Sequence, residues 1–187
     1  MNQKTGWLAV SLIVLSLFMS GCITDDTDEN TGDENWNLTL EWDGNTQHMS
    51  LSDIRKMPSY TGHAYLVSTT GIRYGPYIGT GALLSDIIGP MGELNETSRL
   101  YLYGSDEYLW VLDNIQLKGE GYITFDENLS ETENQIITPV LMYELDGKPL
   151  SEEDGGPVRF ALLSENPGVI TEGSGWVKWV SKLELHR

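Results

Sequence analysis

Cysteine is nearly absent from this chain. Cys22 is the only one in 187 residues, so no disulfide forms within it. A domain of this length can bury a core without such staples, and packing or ligand binding must hold it together. Histidine is scarce too. His48, His63 and His186 stand far apart, with no His-x-His and no i, i+4 pair. Zinc and copper need several convergent ligands, which disfavours a histidine-based metal site. Positive charge is thin: 11 Lys and Arg face 28 Asp and Glu, a formal charge of −17. Phosphate backbones bind clustered Lys and Arg, so nucleic acid is not an expected partner. Anionic lipid headgroups would be repelled as well. The acidity suits either a salty medium or an ordinary solvated surface. No Gly-x-Ser-x-Gly elbow supplies a serine nucleophile. The glycine-rich stretch TTGIRYGPYIGTG lacks the Gly-Lys-Ser/Thr ending of a phosphate loop. Haem and flavin motifs are missing, so an enzyme built on this chain would need an external redox partner.

Long apolar runs are missing as well. The run from Trp7 to Met19 falls short of the roughly 20 residues that span a bilayer as a helix. It has the proportions of a signal-peptide core, with Lys4 before it and the small residues Ser20 and Gly21 after it. Met19-Ser20-Gly21-Cys22 resembles the lipobox of secreted lipoproteins, with Met19 in place of the more usual leucine. The resemblance implies a signal peptide over residues 1–21 and a lipid on Cys22. That lipid would tie the protein to the outer face of the cell membrane. An uncleaved N-terminal anchor is the alternative, and it also tethers the domain outside the cytoplasm. Residues 22–35 continue with ITDDTDENTGDEN, which cannot bury apolar surface and reads as a disordered acidic spacer. Three sequons, at Asn37, Asn95 and Asn128, are candidate glycosylation sites in an exported chain.

The folded domain is expected over residues 36–187. WNLTLEWDGNTQHMSL alternates around Asp43-Gly44, a hairpin signal. SLSDIRKMP begins with capping serines and stops at Pro58, which predicts a short helix. HAYLVSTT reads as a strand, GIRYGPYIGTG as a glycine-rich loop, and ALLSDIIG as a short helix with Gly89 as its C-cap. RLYLYGSD and EYLWVLD predict a second hairpin, and residues 113–135 are mostly loop. TPVLMYELDGKPL and GPVRFALLSE read as strands. GWVKWVSKLELH closes the domain, with Val177, Trp179, Ser181, Leu183 and Leu185 expected on one face. Many strands, two short helices and frequent turns predict a β-rich α+β domain.

Three segments carry a more specific signal together: YIGTGALLSDII (77–88), LMYELDGKPLSEEDGGPVRFAL (141–162) and GSGWVKWVSKLEL (173–185). In this order and spacing they resemble the molybdopterin-binding domain of the sulfite oxidase family. The likeness rests on Tyr77-Ile78-Gly79, the Leu83-to-Asp86 helix, Asp146-Gly147-Lys148-Pro149-Leu150, Gly155-Gly156-Pro157-Val158-Arg159 and Val177-Lys178-Trp179. It implies a mixed fold holding a pterin dithiolene bound to molybdenum, and oxygen-atom transfer or reductase chemistry. The cofactor contacts it implies here are Arg73, Tyr77, Arg159, Gly173, Ser174, Gly175 and Lys178.

The chain departs from that pattern in three places. The family's cysteine ligand to molybdenum falls at or near Val67, beside Ser68, Thr69 and Thr70. A thiolate is a good ligand for that metal, and valine offers nothing. The family's histidine falls at Asp154, where a carboxylate repels a phosphate. A cation before the final strand is replaced by Gly175, although backbone N–H groups of EGSG could cradle an anion. Together these predict a degenerate member without resident molybdenum, serving as a binding module for a small molecule or a surface protein. Tyr74, Tyr77, Trp110, Trp176 and Trp179 either pack the core or wall the vacated cleft, with Arg73 and Lys178 orienting an anionic group. The alternative is a working molybdopterin oxidoreductase in which solvent, or a hydroxyl of Ser68 or Thr69, takes the ligand position.

Overall fold

In the computed structural model, residues 35–187 are described. The expected signal peptide, Cys22 and all of the spacer except Asn35 lie outside the described residues. The first hairpin pairs β1 (Asn37–Trp42) with β2 (Asn45–Ser50). Its turn places Asp43 and Gly44 at positive φ, the conformation that favours an Asp-Gly pair there. Leu38 and Leu40 share the inner face and are fully buried. Ser50 then caps α1 (Leu51–Arg55): its hydroxyl accepts from Asp53 N, and the Asp53 carboxylate accepts from Ser50 N.

β3 (Ser59–Val67) and β4 (Arg73–Leu83) form a long antiparallel pair. The expected loop over residues 71–81 is therefore mostly strand. Its glycines serve close packing of strands. A Cβ on Gly81 would lie 2.5 Å from the Leu141 carbonyl oxygen, so only glycine lets the neighbouring strand approach. α2 (Leu84–Ile88) follows directly. Gly89 closes it in a right-handed conformation and continues into a 3-10 turn, Gly89–Met91. Gly89 is the C-cap, as expected, and because Pro90 prolongs the helical path the positive φ comes only at Gly92.

β5 (Arg99–Gly104) and β6 (Leu109–Asp113) make the second hairpin. After a 3-10 turn at Gln116–Lys118 come two short strands, β7 (Thr124–Phe125) and β8 (Glu131–Thr132). β9 (Ile137–Leu145) turns through Asp146-Gly147 into β10 (Lys148–Pro149). β11 (Arg159–Ser164), β12 (Ile170–Glu172), a 3-10 turn at Gly173–Gly175 and β13 (Val180–His186) complete the chain. In the last segment the expected alternation breaks. Val177 and Val180 are both fully buried, while Trp179 sits at positive φ and is half-exposed. A bulge between Val180 and Lys182 shifts the phase before Leu183 and Leu185 return to the core.

The strands form two sheets. One has five strands in the order β2-β1-β13-β5-β6, with β1 and β13 parallel. In the other, β3, β4, β9 and β11 pair in a ring. β3 pairs β4, β4 pairs β9, β9 pairs β11, and β11 returns to β3 where Ser164 faces His63. This small closed barrel and the five-stranded sheet share one apolar core, with Leu100, Leu102 and Leu183 from the sheet and Leu141, Phe160 and Leu163 from the ring. Among the described residues no helix is long and apolar enough to cross a membrane.

Candidate binding cleft

A cleft of ≈ 650 Å³ opens at the end of the barrel where β3 and β9 finish and β4 begins. Alternation along β3 turns Ala64, Leu66 and Ser68 onto its wall. β4 contributes Tyr74 and Tyr77, and β9 contributes Met142 and Leu145. The turn after β10 brings Glu153 and Asp154, with Arg159 following at the start of β11. Gly173, Ser174, Trp176 and Lys178 close the far side. The β5–β6 turn adds Asp106 and Tyr108.

Of the seven contacts implied by the family resemblance, Tyr77, Arg159, Gly173, Ser174 and Lys178 line this cleft. Arg73 and Gly175 do not. The Arg73 guanidinium donates to the Glu127 carbonyl at 2.7 Å, because the start of β4 carries it toward the β7–β8 turn. The buried Gly175 lines a separate cavity of ≈ 200 Å³ with Trp110, Gln116, Tyr122 and Glu172. Among the aromatic candidates, Tyr74, Tyr77 and Trp176 wall the cleft, Trp110 walls the smaller cavity, and Trp179 lines neither. Asp106 and Tyr108 lie outside the family-like segments and are brought to the cleft by topology, while Met142, Leu145 and Glu153 lie within residues 141–162 without having been singled out.

Each cation of the cleft donates to a backbone carbonyl. Arg159 Nη1 donates to the Asp154 carbonyl at 3.2 Å, and Lys178 Nζ donates to the Glu153 carbonyl. Trp179 donates its indole N–H to the Glu152 carbonyl at 2.8 Å and its backbone N–H to the Gly155 carbonyl at 3.0 Å. Four successive carbonyls of one acidic turn thus face the segments that supply the cleft's positive charge. Burial pushes the Arg159 guanidinium down to about 10, partly offset by the Asp154 charge. Its plane lies over Trp176, 5.1 Å from the ring, and its Nε is buried without a partner. Tyr108 donates to the Ser174 carbonyl at 2.7 Å and so fixes one lip. Trp176 donates to Thr171 Oγ1 at 2.9 Å and fixes the floor.

Comparison with known proteins agrees with this architecture. The family model described as oxidoreductase molybdopterin binding domain matches residues 25–187. No curated protein matches the chain. Among solved structures, the sulfane dehydrogenase SoxCD from Paracoccus pantotrophus is similar, with a TM-score of 0.61 and 18% identity. The match covers 82% of this chain and 39% of that one, and at this identity the likeness is one of fold. The β-rich α+β domain is therefore of sulfite oxidase-like molybdopterin-binding type.

The cofactor named in the family description can be tested against the walls of the cleft. The resemblance puts a thiolate ligand to molybdenum at or near Val67, at the end of β3. Leu66, Ser68 and Thr69 line the cleft there, and Val67 does not. Ser68 Oγ is engaged by Thr70 Oγ1 and by Ile72 N. The single sulfur on the wall is the Met142 thioether, packed against Gly79. Among the described residues no group of three or more His, Cys, Asp or Glu converges on a metal position. With no thiolate on its wall, this donor set does not fit a thiolate-bound molybdenum.

Proposed function

Since this chain belongs to the oxidoreductase molybdopterin-binding domain family, we propose that it keeps the family's scaffold and cleft but has given up molybdenum redox chemistry. It acts as a ligand- or partner-binding module, carried at the outer face of the cell membrane by a lipid on Cys22. The observation that carries this reading is the wall at the end of β3, where Leu66, Ser68 and Thr69 stand and no thiolate does. The cleft itself is of a size that suits a small ligand, and aromatic side chains line it. The test is the molybdenum and pterin content of the full chain, produced in a host that makes the cofactor. Neither is expected. Metal analysis and oxidised-pterin fluorescence each near one per chain would overturn the reading.

One observation favours a second reading. The Thr69 side chain lines the cleft, is exposed, and makes no hydrogen bond among the described residues. Its hydroxyl, or a solvent molecule beside it, would fill the ligand position of a cysteine-free oxidoreductase. Stoichiometric metal that is lost in Thr69→Val would support that alternative. The anchor is tested separately: Cys22→Ser should move the protein from the detergent phase to the aqueous phase.

A further inference from the structure

We infer that the cleft selects an organic cation, a flat aromatic amine that also carries a neutral acceptor oxygen. This rests on reading the cleft as a binding site. The first support is the state of its cations. Lys178 and Arg159 each already donate to a backbone carbonyl, of Glu153 and Asp154, which leaves fewer N–H groups for an anion. The turn is seated closely on its partner. Gly155 has a φ of +96°, and a Cβ there would come within 2.7 Å of Lys178 Cγ. The carbonyl row is thus a built contact that takes up part of the donor capacity of both cations.

The second support is the charge left over. Asp106, Glu153 and Asp154 line the cleft, and none of them forms an ion pair among the described residues. Asp106 accepts from Tyr108 N, and Asp154 accepts from Ser151 Oγ, both neutral donors. The strongly acidic chain adds a field of the same sign.

The third support is the rim. Tyr74, Tyr77 and Tyr108 are exposed at the mouth, and aromatic faces attract organic cations. Below them Ala64, Leu66 and Met142 offer apolar surface for a ring. Arg159 and Lys178 on the same wall keep further N–H groups beyond those bonds, donors suited to a ligand oxygen.

The test is calorimetric titration of the full chain with tyramine and, separately, with 4-hydroxyphenylacetate. The two probes share a ring and a phenol oxygen and differ in the sign of the terminal charge. Saturable binding of tyramine, tighter at low salt, is expected, with 4-hydroxyphenylacetate binding at least about tenfold more weakly. Glu153→Gln and Asp106→Asn should each weaken tyramine about threefold, with an unchanged unfolding midpoint. Equal or tighter binding of the carboxylate probe overturns the inference, and so does the absence of tyramine binding. Metal analysis of the same sample separates the two readings. A molybdenum-loaded chain sinks the proposed function, whereas a metal-free chain that prefers the carboxylate sinks only this inference.

Discussion

On the solvent face of the five-stranded sheet, charges pair across strands. Glu41 on β1 stands opposite Glu184 on β13, an unfavourable juxtaposition by itself. Lys182 resolves it by reaching both carboxylates, at 3.1 Å and 2.9 Å, with its ammonium 4.2 Å from the Tyr103 ring centre. At the barrel's cleft the pattern differs. There the cations meet backbone carbonyls of one turn, and the nearby carboxylates are left facing the opening. The same habit recurs elsewhere. Arg73 donates to the Glu127 carbonyl, and Arg99 to the carbonyls of Glu96 and Ser98. Several of the few cations of this acidic chain thus spend donors on its own backbone, which leaves fewer of them for a ligand.

The largest effects should test whether the two regions are one cooperative unit. Phe160→Ala in the barrel removes a fully buried ring and should cost about 4 kcal/mol. Leu183→Ala in the five-stranded sheet should cost about 3 kcal/mol, since that side chain is buried equally well. Urea unfolding followed by tryptophan fluorescence should show one transition for each variant. Two separated transitions would break the shared core into halves.

A glycine pair sharpens the contrast in packing. Gly81→Ala must push against the Leu141 backbone and should cost about 3 kcal/mol. Gly44→Ala in the first hairpin meets nothing within 4 Å, so only its positive φ is strained, at about 1 kcal/mol. Equal denaturation midpoints for the two would show that the barrel strands can part.

Trp179→Phe removes one donor from the carbonyl row and should cost about 1 kcal/mol. Amide exchange over residues 151–156 should quicken, while β1 and β13 stay protected. Unchanged exchange in the turn would mean that the row is not what holds it.

The smallest effect is electrostatic. The hydrogen bond from Lys182 holds the Glu184 carboxyl below the usual carboxylate range, and the same bond raises the Lys182 ammonium above the usual lysine range. The stabilisation from Glu184 is whole above the ordinary carboxylate range and is lost as acid protonates it below that range. That from Lys182 is whole below the ordinary lysine range and is lost as the pH climbs through its raised value. Both groups are near the surface, so the gain is under about 1 kcal/mol. Unfolding midpoints measured against pH should show wild type above Lys182→Met between these limits, with the two converging in acid and in strong base.

Much of the scaffold was legible because its signals are local. Asp43-Gly44 and Asp146-Gly147 announce turns, and the capping serines before Pro58 announce a short helix. The stretch over residues 71–81 was misleading because glycine also lets strands approach closely, and nothing local separates that use from a loop. The closing segment went out of phase at Trp179, since a bulge depends on the partner strand β5. At the cleft, the family-like motifs pointed to Tyr77, Arg159 and Lys178, which line it. Arg73 and Gly175 were misplaced because a motif fixes a position along the chain and says nothing of which cavity a side chain reaches. Asp106 and Glu153 sit 47 residues apart on different sheets' turns and meet only through the fold.

β13 lies in the middle of its sheet, between β1 and β5, and runs parallel to β1. The strand at the centre is therefore the last to be made. Until it arrives, β1 and β5 each present an unpaired edge, and the sheet exists only as two separate hairpins. A nascent chain stopped short of Val180 has no route to the native sheet, so assembly waits for the whole domain to emerge. That ordering makes closure of the five-stranded sheet wait for its central strand.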